Sequence, residues 1–112
     1  MWAALHSGVV CEGFAPHYAQ GLMARVSANR DMPPVACMVS SAEHEVGAWL
    51  WIYGIRTDVL LHCRVTDVSH PRDRARHRRT KRLIELDYAV THALCGSVNE
   101  PSASCPVVIV RL

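Results

Sequence analysis

The chain has 112 residues, half of them hydrophobic and a fifth charged, with a formal net charge of +2; this is globular composition and excludes a disordered tail. Its length supplies one hydrophobic core, because two independent cores would each be too small without metals or disulfides, so a single domain over 1–112 is expected. The longest near-continuous apolar run, 46–55, is about half of what a membrane-spanning helix needs, which excludes a helical membrane span.

The N-terminus Met1-Trp2-Ala3-Ala4-Leu5-His6 lacks the basic start and long apolar stretch of a secretory signal. The chain is therefore expected to stay in the cell that makes it, or to be directed outside or to the cell wall after losing a signal. Residues 8–11 form a short apolar piece ended by Gly13. Residues 18–29 place Leu22, Met23 and Val26 on one helical face, and the 29–34 segment, with Pro33 and Pro34, stops that helix. Residues 35–39 read as a buried strand and 48–53 as a second, rich in aromatics between Gly47 and Gly54. In 59–66, Val59, Leu61, Cys63 and Val65 share one strand face, with Leu60, His62, Arg64 and Thr66 on the other. A loop of about fifteen residues follows, a length that is usually functional or disordered. A fourth strand spans 83–86 and a helix 88–95, with Asp87 as N-cap and Gly96 as stop. A last strand, 107–112, closes the barrel. Short strands around one or two short helices, without a strand-helix rhythm, predict a mainly β protein built as a small barrel.

Charge is concentrated in the long loop. Arg72, Arg74, Arg76, Arg78, Arg79, Lys81 and Arg82 stand there with one acid, Asp73, so 72–82 carries +6 and the rest of the chain −4. Such a patch attracts polyanions, whether nucleic acid or an anionic cell-wall polymer. His70 and His77 would strengthen that attraction below about pH 6.5. The five cysteines contain no CxxC pair, which argues against a zinc ribbon. Cys95 and Cys105 bracket a short loop and suit a disulfide in an oxidising compartment. Cys37 and Cys63 lie in strand-like runs and read as buried thiols. At most two disulfides and at least one free thiol are expected. The seven histidines show no ligand spacing with a second donor except His44 between Glu43 and Glu45, so neither a metal nor another cofactor is expected.

Extending the inward row of 59–66 by one step reaches Asp67, an acid at the barrel mouth whose desolvation would suit a general acid. Glu85 departs from the apolar set of its own strand, beside a helix start that favours anions. Two carboxylates facing one groove form the pair that cleaves glycosidic bonds. Trp49, Trp51 and Tyr53 alternate on one strand face, where flat rings could stack on sugars.

The run Val65-Thr66-Asp67, a long loop, Arg82-Leu83-Ile84-Glu85-Leu86-Asp87-Tyr88-Ala89 and Leu94-Cys95-Gly96 resembles the core of the double-psi β-barrel family. Its members include rare lipoprotein A-like domains, expansins and family 45 endoglucanases. Gly47-Ala48-Trp49-Leu50-Trp51-Ile52 resembles the glycine-led strand of that family and 107–111 its closing strand. The resemblance covers about 35–112 and implies a six-stranded double-psi barrel that acts on or binds polysaccharide. It also implies an acid at Asp67, with Glu85 where some members carry an aspartate and Asp87 where they carry a serine. Lytic members place a histidine shortly before the glycine-led strand, which implies His44.

These readings converge on a polysaccharide partner, above all bacterial peptidoglycan. Asp67 would protonate the glycosidic oxygen and Glu85 assist it. Trp49, Trp51, Tyr53, His70, Arg72, Arg74 and Arg82 would hold the glycan. The alternatives are a non-catalytic, expansin-like carbohydrate-binding module and nucleic-acid binding through the arginine-rich segment. The last ranks lower, because aromatics are not interleaved with the basic residues.

Overall fold

Alternating side chains decide this fold, because each strand offers one apolar face to a shared interior. The computed structural model describes residues 9–96 and 104–110. Strands β1 (Val9–Ala15), β2 (Met38–Ser41), β3 (Trp49–Gly54), β4 (Val59–Val68), β5 (Ile84–Leu86) and β6 (Cys105–Val110) form one sheet in the order β1-β6-β3-β4-β2-β5. Helix α1 (Leu22–Asn29) lies between β1 and β2, α2 (Pro71–Arg79) between β4 and β5, and α3 (Tyr88–Cys95) between β5 and β6. The described part is thus mainly β, with three short helices where the sequence predicts one or two.

The sheet nearly closes on itself, because its two edge strands meet. Phe14 N–H donates to the Lys81 carbonyl, and residues 16–18 run parallel to β5, with Tyr18 N–H on the Leu86 carbonyl and Leu86 N–H on the Pro16 carbonyl, each at 2.8 Å. A Cβ at Gly13 would strike the Lys81 carbonyl, so only glycine lets β1 approach this seam. The seam also corrects the expected helix at 18–29. Residues 16–18 spend their backbone groups on β5, and the helix starts only after Gly21, whose φ is 80°.

The interior is filled by Val39, Leu50, Ile52, Cys63, Val65, Ile84, Leu86, Val107 and Ile109, with Leu94 of α3 beside them. This bears out the alternation read for 59–66: Cys63 and Val65 are fully buried and Val59 and Leu61 pack against the core. The outer face of β3 and β6 carries a second apolar cluster of Tyr53, Val108 and Val110. On the outer face of β2 and β4, Arg64 is 5% exposed, with no carboxylate beside it among the described residues. Its guanidinium donates to the Pro33 carbonyl (2.6 Å), Ser27 Oγ (3.1 Å) and Thr66 Oγ1 (3.3 Å), tying α1 and the chain after it to the barrel. Helix α3 coincides with the predicted 88–95. Gly96, at φ 90°, ends it as expected, whereas Asp87 stands at the N-cap without a side-chain cap bond.

The basic segment is not a loop. Residues 71–79 form α2 with no buried residue: His70 accepts the Arg72 N–H, Pro71 opens the first turn and Asp73 follows it. Without an apolar face, this helix rests on its capping and end charges.

Cys95 and Cys105 are bonded as expected, but so are Cys37 and Cys63, which the sequence reads as separate thiols. The approach to β2 runs beside β4, so the two sulfurs meet across neighbouring segments. Gly8, residues 97–103, Arg111, Leu112 and the side chain of Cys11 lie outside the described part. Among the described residues no helix is long and apolar enough to cross a membrane.

The Cys37–Cys63 bridge closes a sequence separation of 26 and should contribute about 3.5 kcal/mol, and Cys95–Cys105, with a separation of 10, about 2.7 kcal/mol. Urea unfolding of Cys37→Ala/Cys63→Ala and Cys95→Ala/Cys105→Ala variants should show the larger loss in the first pair.

Candidate functional site

Strand β2 brings the two predicted acids together. Ser40 pairs with Asp67 of β4 on one side and with Glu85 of β5 on the other, so Asp67, Ser40 and Glu85 form one row across three strands. Val39 pairs with Val65 but Ser40 with Asp67, which leaves Thr66 as an extra residue in β4. That bulge reverses the alternation. Asp67 leaves the inward row of Cys63 and Val65 for the outer face, where Ser40 and Glu85 lie opposite the buried Val39, Ile84 and Leu86. The sequence expects both acids to face one trough from the inward face at the barrel mouth; the structure instead sets them in one row on the outer face.

Two residues without a sequence signal complete this row. Tyr18, held by its backbone bonds to β5, donates its hydroxyl to Asp67 Oδ2 at 2.9 Å. Arg30, just past α1, donates to Asp67 Oδ1 at 2.9 Å, and the pair stays in contact with solvent. Burial raises the Tyr18 phenol far above its usual range; a hydrogen bond with Ser40 works against this, while Asp67 and Glu85 add to it. Glu85 is half-buried, and burial first of all raises its carboxyl above the ordinary range. Arg82, His77 and His17 pull it back and the charge of Asp67 raises it further. The row therefore holds two carboxyls in unlike surroundings: Glu85 favoured in its protonated form by desolvation, and Asp67 bound to a guanidinium and a phenol. Such a pair can divide acid and anion roles.

His44 is not part of this row. It sits between β2 and β3, where Ser41 Oγ accepts the backbone N–H groups of Glu43 (3.1 Å) and His44 (2.9 Å). With Glu43, Glu45, Val46, Val68 and Arg74 it lines a half-open cleft of about 320 Å³, which neither Asp67 nor Glu85 lines. Arg74 contributes a guanidinium whose Nε is buried without a hydrogen-bond partner.

The aromatic row divides. Trp49 is 49% exposed, Trp51 is half-buried and Tyr53 is buried in the outer apolar cluster, donating to Asp58. Tyr53 therefore has no face for a ligand. In its place the structure supplies His62, opposite Trp51 on β4. Its ring stacks on Trp51 at 4.4 Å and 14° and leans on Trp49 at 4.9 Å. The alternation of β4 already put His62 on the outer side, but only the pairing with β3 makes it part of an indole-imidazole-indole platform.

The basic residues separate by helix face. Arg78 pairs with Glu43 at 2.9 Å and Arg74 faces the cleft, so these two turn toward the 42–47 loop. Arg72 and Arg76 share Asp73, at 3.9 and 3.1 Å, and remain well exposed. His70 serves as the N-cap of α2, and Arg82 lies near enough to Glu85 to affect its titration. Among the described residues no three His, Cys, Asp or Glu side chains converge as metal ligands. No protein-family model matches the chain, and no curated protein sequence matches it.

Because folding raises the Glu85 carboxyl, the fold favours its protonated form, and that contribution disappears as pH rises from the ordinary carboxyl range through the raised value. Glu85→Gln carries no such penalty. Its stability relative to the parent, followed by urea unfolding between about pH 4 and 7, should therefore increase with pH; a constant difference would contradict the burial assigned to Glu85.

Proposed function

We propose that the protein is a polysaccharide-acting domain of the double-psi barrel type, and that it cleaves a glycosidic bond at the Asp67–Ser40–Glu85 row. The observation that carries this reading is the unequal acid pair on one outer face. Glu85, whose protonated form desolvation favours, gives its proton to the glycosidic oxygen. Asp67, oriented by Arg30 and Tyr18, faces the positive charge that develops on the sugar ring or directs a water to it. This exchanges the roles expected from sequence, because desolvation raises the Glu85 carboxyl while a guanidinium pairs with Asp67.

Adjacent strands lie about 4.8 Å apart, so two strand steps separate the backbones of Asp67 and Glu85 by roughly 10 Å. This favours the route in which water enters between the carboxyls, roughly 6.5–9.5 Å apart, over direct attack at roughly 5–5.5 Å. Trp49, backed by His62 and Trp51, offers a flat apolar face for a pyranose elsewhere on the outer barrel surface. Two parallel contacts, β2 with β4 and 16–18 with β5, support the double-psi reading, since a simple up-and-down barrel has only antiparallel neighbours.

A second reading, binding without cleavage, has one observation in its favour: the Arg30–Asp67 ion pair already occupies one acid oxygen. Incubation with purified cell-wall sacculi separates the two. We expect pelleting with the wall and release of soluble fragments, with release falling as pH rises through the titration of Glu85. Glu85→Gln should cut release by about 100-fold or more and leave pelleting unchanged, whereas Trp49→Ala should weaken pelleting about fivefold. Pelleting without release, unaffected by Glu85→Gln or Asp67→Asn, selects the binding module. Neither pelleting nor release overturns the polysaccharide reading.

A further inference from the structure

Helix α2 is the most highly charged element of the molecule and has no buried residue. Its two faces are used differently. Positions 74 and 78 fall on the side turned to the 42–47 loop, where Arg78 pairs with Glu43. Positions 72, 76 and 79 recur at i, i+4 and i+7 and so align along the opposite edge. The side chains of Arg72 and Arg76 are 78% and 59% exposed and Arg79 is exposed as well. Asp73, the single acid in 72–82, is shared between Arg72 and Arg76, and Lys81 and Arg82 extend the basic surface past the helix end. The remainder of the chain, at −4, repels anions toward this edge.

We infer that the outward edge of α2, formed by Arg72, Arg76 and Arg79, binds an acidic polysaccharide, one bearing carboxylates at regular intervals; this rests on the polysaccharide reading above and names the class of its polymer. Six of the seven basic residues in 72–82 are arginines, whose planar forks take carboxylates in bidentate fashion, where lysines would act as point charges. Neighbours along the edge are about 5–6 Å apart, close to the length of one pyranose in a chain, so successive sugar carboxylates meet successive guanidinium groups. Nucleic acid fits the same charge less well. No Phe, Tyr or Trp lies between residues 71 and 82 to stack an unpaired base.

Affinity electrophoresis of the full chain through polygalacturonate, through neutral dextran, and with a single-stranded oligothymidylate tests this. Polygalacturonate should retard the protein at least tenfold more strongly than dextran, and the difference should shrink steeply as salt rises. The variant Arg72→Gln/Arg76→Gln/Arg79→Gln should lose about tenfold in polygalacturonate affinity while keeping a cooperative urea transition, because none of the three side chains is buried; loss of the helix-end charges should lower the midpoint only slightly. Equal retardation by dextran and polygalacturonate, or a triple variant that binds polygalacturonate like the parent, overturns the acidic-polymer inference and leaves the polysaccharide reading standing. Binding of the oligothymidylate with neither polysaccharide retained overturns both.

Discussion

Strand β4 carries one more residue than β2 across the Val39–Ser40 step, and the direction of Asp67 follows from that insertion. Without it, Asp67 would continue the row of Cys63 and Val65 into an apolar interior, where an unpaired carboxylate is very costly. With Thr66 as the extra residue, Asp67 turns outward beside Ser40, and Val68 returns to the core. The bulge is held from both sides. Above it, the Cys37–Cys63 bridge fixes the approach to β2 against β4; below it, β5 pairs with all of Val39, Ser40 and Ser41.

The side chains that meet Asp67 depend on a second polar arrangement. Arg64 is a buried cation whose hydrogen bonds go to a carbonyl and two hydroxyls, with no carboxylate partner among the described residues. A buried charge of this kind is tolerated only when its donors are satisfied, so the chain from Ser27 to Pro33 is held where it can satisfy them. Arg30 lies within that stretch and reaches Asp67 from it. Tyr18 is positioned independently, by the parallel contact with β5 that nearly closes the barrel. One acid is thus gripped by two segments fixed by unrelated means, while Glu85 keeps a less constrained, half-buried place.

Much of the barrel could be read from residue order. The alternation in β4, the aromatic strand between Gly47 and Gly54, and α3 with its glycine stop all follow local rules. The parallel contact of 16–18 with β5 could not be read, because its partners are some seventy positions apart and neither carries a motif. Helix α2 escaped because helices are recognised by an apolar stripe and this one has none; its only marks were His70-Pro71 at the start, Asp73 in the first turn and basic residues in the last. Extending the inward row of β4 to Asp67, and the departure of Glu85 from its strand's apolar set, point to the two acids together but on the wrong face, since a bulge leaves no trace in composition. Tyr53 looked equivalent to Trp49 by period, but the sheet places it over Val108 and Val110. Cys37 and Cys63 looked unrelated, because only the pairing of their segments brings them within bonding reach.

A helix with no fully buried residue is also freer of the packing rules that constrain its neighbours. Each core position of the barrel answers to volume and polarity, so its range of tolerated replacements is narrow. The outer edge of α2 answers only to helix propensity, to the end charges that support the helix and to whatever lies beyond it in solution. Exchanging arginines there for other polar helix formers redraws the surface field without touching the interior. The same scaffold can therefore change its surface charge by a handful of substitutions while its interior stays as it is.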